Sequence, residues 1–153
     1  MSYDSTQSTN EHIMRVQRNI FDALKNLRQR AIVHDDSKHR EPEKSLYDEW
    51  QPKLRELTYG SDEYKSALAQ MGPALQHHYQ ANSHHPEHYP DGVMGMSLFD
   101  IIEMLCDWRA ANEQYGGDFL ESMEKSFQRF GIEQRFGAIL IKTAVELGWI
   151  EHE

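Results

Sequence analysis

Residues 10–33, NEHIMRVQRNIFDALKNLRQRAIV, decide the fold class. Ile13, Val16, Ile20, Leu24, Leu27 and Ala31 recur at steps of three and four, which is the spacing of one helix face and not of a strand. Thr9 or Asn10 can cap its start. The same period returns further along. A short helix is expected over 43–49, with Trp50 near its end and Pro52 just after it. "TYGSDEY" (58–64) reads as a turn with Ser61 as the next cap, and a helix from Asp62 runs toward Gln80, disturbed at Gly72-Pro73. Ser97 caps "LFDIIEMLCDWRAANEQY". Two more helices follow over about 118–130 and 132–147, with Gly131 as the stop between them. Strand patterns are lacking. The expected fold is all-α, a compact single-domain bundle of five to seven helices over 10–153, preceded by a flexible N-terminal tail over 1–9.

The chain has 153 residues, enough for one ordinary core. Its net charge of −9 argues against general nucleic-acid binding, which needs many cationic contacts to phosphate. It does not argue against a phosphorylated substrate, because a bound metal can supply positive charge. Cys106 is the only cysteine, so no internal disulfide can form. No apolar run reaches membrane-span length, and the polar start lacks a signal-peptide core. A cytoplasmic protein without membrane contact is expected; the oligomeric state is left open.

Three stretches carry chemistry. "AIVHDDSKH" (31–39) puts His34 beside Asp35, with Lys38 three residues on. Imidazole and carboxylate together suit a divalent ion; a polar helix end, with His and Lys at the negative pole of the dipole, is the plainer reading. "ALQHHYQANSHHPEHYPDG" (74–92) holds five of the nine histidines: His77, His78, His84, His85 and His88. The spacing does not say which member of each pair points inward. "SLFDIIEMLCDWRAANEQ" (97–114) stacks Asp100, Glu103 and Asp107 on one helix face and Phe99, Ile102, Cys106 and Ala110 on another. A solvated acidic stripe is the plainer reading there, with Cys106 as a small core residue. Trp50, Trp108 and Trp149 read as packing residues.

Taken in order, "HIMRV", "AIVHDDSK" and "LFDIIEMLCDWRAA" resemble the HD-domain superfamily of metal-dependent phosphohydrolases. The intervening "HHYQ…HHPEHYPDG" resembles its branch in which extra histidines complete a two-metal site, although Tyr79 follows the first pair where that branch has Glu. More closely, the segments "HDxSK", "YGSDEY", "HHYxxNxHHPEH" and "EMLCDW" resemble a family of small bacterial and phage proteins of unknown function.

The superfamily resemblance implies an HD-like helical domain with His34, Asp35 and Asp107 as metal ligands and His78 as the ligand of the first pair. His12 would be the leading ligand, and Lys38 would contact phosphate or a bound water. His85 is the ligand candidate of the second pair. His77 and His84 are left for catalysis, and Asp100 and Glu103 for orienting imidazole N–H groups. His12 departs from the pattern. It lies 22 residues before His34, and a continuous helix would hold the two about 33 Å apart. They share a site only if the chain reverses near Lys25–Leu27.

The function so implied is hydrolysis of a nucleotide or other small phosphate ester with one or two divalent ions (Mn, Fe, Zn, Mg or Co). Two other readings stay open: a non-enzymatic metal- or nucleotide-binding module, and a di-iron oxygenase of the same helical type.

Overall fold

The computed structural model describes residues 4–57 and 61–151. Seven α-helices and three short 3-10 segments make up its regular structure, with no strand among the described residues. The fold is all-α. The turn expected at 58–60 and the first three residues of the expected tail lie outside the described residues.

The chain divides into two units, 1–34 and 35–153. The first contains one helix, α1 (Thr6–Val33). It begins earlier than Asn10 because the Asp4 carboxylate accepts the Thr6 N–H at 3.0 Å, satisfying one of the donors that a helix start leaves open. It runs without a break through Lys25–Leu27, and none of its residues is buried.

The second unit opens with a 3-10 turn (Asp36–His39) and carries α2 (Glu43–Arg55), α3 (Asp62–Gln70), α4 (Gly72–Ala81), α5 (Leu98–Tyr115), α6 (Phe119–Phe130) and α7 (Gln134–Glu146). Helix α2 extends past Glu49 and through Pro52. The residue four before that proline, Asp48, is exposed, as is Pro52. The carbonyl that loses its donor therefore lies on the solvated side, where water can replace the bond. The Gly72-Pro73 disturbance is a full break: α3 ends at Gln70, and Pro73 sits in the first turn of α4, where its missing N–H is tolerated. The Ser61 cap forms, its hydroxyl accepting from the Tyr64 N–H.

The core of this unit is Ile101, Met104, Leu105, Phe119, Met123, Leu140 and Ala144, from α5, α6 and α7. Trp108 stacks on Phe130 with 7° between the ring planes, and Trp149 meets Phe119 edge-on. Gly131 ends α6 in the left-handed conformation (φ 63°). Gly137 lets α6 and α7 approach: a Cβ there would lie 3.0 Å from the Phe127 ring.

Helix α5 turns its faces opposite to the plainer reading of its pattern, a solvated acidic stripe with Cys106 in the core, and as the ligand reading of Asp107 requires. Ile102 and Cys106 are exposed, so Cys106 is a surface thiol and not a core residue. Asp100 is buried, and Glu103 and Asp107 are at most partly exposed. The apolar residues that pack are Ile101, Met104 and Leu105, which lie between the carboxylates in sequence. The carboxylates can turn inward because each is met by polar partners.

Candidate metal centre

Helix α1 ends at Val33, and the backbone changes direction at once. His34 leaves the helical region (φ −52°, ψ 126°), and Asp35 takes a left-handed conformation (φ 56°). A non-glycine residue pays roughly 1–2 kcal/mol for that geometry, and Asp tolerates it better than most. The following 3-10 turn sends Lys38 back over Asp35: Nζ donates to Oδ2 at 2.5 Å. The ammonium also sits 5.3 Å from the centre of the Tyr47 ring.

Asp35 is the hub. One ligand atom each from Asp35, His78, His84 and His85 lies within 4.8 Å of every other. His78 Nε2 is 3.4 Å from Asp35 Oδ1, His84 Nε2 is 3.5 Å from the same oxygen, and His78 Nε2 is 2.8 Å from His85 Nε2. Ligands of one ion held at about 2.0–2.2 Å stand about 3.0–3.4 Å apart, so these spacings suit a shared divalent cation. Asp107 also offers a carboxylate oxygen within 4.8 Å of the ligand atoms of Asp35 and His84. The donors are neutral imidazoles and carboxylates, the set that Mn, Fe, Co and Zn accept.

Two of the imidazoles are held from behind in the same way. Glu43, fully buried on the first turn of α2, receives His78 Nδ1 at 2.9 Å and His77 Nδ1 at 2.7 Å. Glu103 on α5 lies 3.2 Å from His84 Nδ1. A carboxylate can only accept, so Nδ1 carries the proton and the neutral ring presents a bare Nε2. For His78 and His84 that nitrogen faces Asp35. Burial lowers the pKa of His78 against the pull of Asp35. Burial, reinforced by the neighbouring His84 and His78, pushes His85 down to about 3. These rings stay neutral at ordinary pH, as a ligand must.

The five histidines of the window therefore part ways. His78 of the first pair turns inward on α4, while His77 keeps its side chain 42% exposed. Both members of the second pair join the cluster, His84 being the more deeply buried. Asn82 ends α4 and locks the approach to them, its amide donating to the His78 carbonyl and to Ser37. His88 donates from Nδ1 to the Tyr79 carbonyl at 2.9 Å, which ties down the loop.

Asp100 accepts from the hydroxyls of Ser83, Tyr89 and Ser97 and closes a capping box with Ser97. Burial would raise its pKa, but these hydrogen bonds outweigh it and hold the carboxyl far below the usual range. Its carboxylate anchors the histidine loop to the start of α5. His12 is exposed on the unbroken α1. With no reversal near Lys25–Leu27, the helical rise keeps it about 33 Å from His34, and the two cannot meet at one ion. His34 itself is half-buried and covalently precedes Asp35.

Glu43 and Tyr47 are the participants that the sequence reading missed. Glu43 follows Pro42 at a helix start, where an acidic residue suits the dipole and needs no other explanation. Tyr47 is one turn further along α2, edge-on to His78 at 6.3 Å between ring centres. Burial and the nearby carboxylates of Glu43 and Asp35 raise its pKa, keeping it a phenol.

Together these features define a helical protein whose second unit gathers buried imidazoles and carboxylates into a cluster able to hold a metal ion. The chain belongs to a family of unknown function (DUF5662), whose family model matches residues 1–146. No curated protein and no solved structure matches the chain.

Proposed function

We propose that this chain is a metal-dependent phosphohydrolase acting on a nucleotide or another small phosphate ester. The observation that carries the reading is the convergence of Asp35, His78, His84 and His85 within 4.8 Å. Asp107 is the further ligand. The resemblance to the HD-domain superfamily points to phosphate-ester hydrolysis among the reactions that such a site can support.

A divalent ion bound there would lower the pKa of a coordinated water and polarise a phosphoryl oxygen. The chain's own residues do the rest. Asp35 presents Oδ1 to the imidazoles while its Oδ2 holds Lys38 at 2.5 Å. The Lys38 ammonium is partly exposed and is the cation that meets the substrate's phosphoryl oxygens. His77, fixed through Nδ1 by Glu43 and open to solvent, takes a proton from water at Nε2 and, as the imidazolium, gives it from there to the leaving oxygen. Glu43 and Glu103 hold His78 and His84 in one tautomer.

The test is turnover of a panel of nucleotides and simple phosphate esters by wild-type protein loaded in turn with Mn, Fe, Co, Zn and Mg. Asp35→Ala and His84→Ala are expected to lose activity by at least about a hundredfold while keeping their helical content. Stoichiometric metal uptake with no turnover on any ester would defeat the hydrolase reading and leave a metal-binding module.

A further inference from the structure

The two carboxylate oxygens of Asp35 are engaged differently. Oδ1 faces the imidazoles, 3.4 Å from His78 Nε2 and 3.5 Å from His84 Nε2. Oδ2 accepts from the Lys38 ammonium at 2.5 Å. That second contact is built into the backbone. Lys38 lies three residues on, in a 3-10 turn, and its N–H donates to the Asp35 carbonyl at 2.9 Å. Side chains three apart eclipse in such a turn, so the ammonium is returned to Oδ2. The Tyr47 ring backs it, 5.3 Å from Nζ to the ring centre. The Asp35 side chain is only 17% exposed, so salt screens the pair weakly.

We propose that Lys38 sets the number of metal ions: the cluster holds one divalent ion, and the ammonium stands where a second would bind. This rests on the metal-centre reading above. The inward imidazoles serve one ion only. His84 Nε2 has a single lone pair, and its Nδ1 is turned to Glu103 at 3.2 Å. His78 is turned in the same way by Glu43. A second ion would therefore depend on carboxylates. Those at hand are Oδ2 of Asp35 and the oxygen of Asp107, which lies within 4.8 Å of the Asp35 and His84 ligand atoms. Lys38 already holds Oδ2, and its charge would repel a dication on the same oxygen at close range. Two-ion sites set their cations about 3.5–4 Å apart and clamp both oxygens of a displacement. Here one ion and one fixed ammonium divide that task.

Equilibrium dialysis of the full chain against Mn, read by elemental analysis and electron paramagnetic resonance, tests this. Wild type should hold one Mn per chain, with the spectrum of an isolated ion. Lys38→Met keeps the stem and removes the charge. With helical content unchanged, it should take up a second Mn and show the spin-coupled spectrum of a carboxylate-bridged pair. Lys142→Met, at an exposed site of α7, should stay at one, which separates the gain from a mere change in net charge. A spin-coupled pair in wild type overturns the proposal and leaves the metal centre standing. So does a Lys38→Met chain that stays at one ion. A wild type that takes up no Mn, Co or Zn removes the centre itself, and the proposal with it.

Discussion

Helices α1 and α5 invert each other. Helix α1 carries a regular apolar stripe and exposes it, with no buried residue over 28 positions. Helix α5 carries a regular acidic stripe and turns it inward, with Asp100 buried and Glu103 and Asp107 partly so. Amphipathic period alone assigns the faces the other way round. What separates the two is partnership. Each α5 carboxylate meets hydroxyls, imidazoles or the Asp35 cluster, whereas most apolar side chains of the α1 stripe are exposed. Buried carboxylates with polar partners thus mark the candidate site.

The largest effect expected from breaking this contrast is at Glu43. Glu43→Ala removes a fully buried acceptor shared by two imidazoles and should cost about 3–5 kcal/mol in urea unfolding. If the loss is under about 1 kcal/mol, the carboxylate is not holding the rings.

The next comparison pairs chemically identical substitutions. Leu140→Ala, in the α5–α6–α7 core, should cost about 2–5 kcal/mol at any protein concentration. Leu24→Ala, on the exposed face of α1, should cost under about 0.5 kcal/mol. Equal losses at the two positions would remove the contrast between the two helices.

A smaller effect is the pH response of the metal-free protein. Burial and two neighbouring imidazoles depress His85 to about 3, below the unfolded value of 6.5. The unfolded chain therefore binds the extra proton first. Stability from this group is full above pH 6.5 and is lost as pH falls toward 3. Between pH 7.5 and 5 it should account for a drop of about 2 kcal/mol, read from urea midpoints. Saturating metal should raise stability but leave this drop in place, because the proton is taken up by the unfolded chain; a flat profile in the metal-free protein would show that His85 titrates normally.

Most of the helices were legible because their signals are local: the steps of three and four in α1, the Ser61 and Ser97 caps, and Gly131. Pro52 misled because the tolerance of a proline depends on which side faces water. The composition of the site was legible for the same reason, since His34-Asp35 and the two His-His pairs stand out by density. Its orientation was not. His77 and His78 both reach Glu43, 34 positions before His77, whose place at a helix start needs no explanation, and the pair itself does not say that His78 is the buried one. The distance from His12 followed from helix continuity, a long-range property that a single weak breaker at Asn26 could not settle.

The central claim is that Asp35 organises a metal centre. Elemental analysis of protein purified without added metal, followed by titration with Mn, Co and Zn, tests it most directly. Wild type should hold one or two ions per chain, and Asp35→Ala, with unchanged helical content, should retain little or none under the same conditions. A wild type that carries no metal and takes up none on titration would contradict the account.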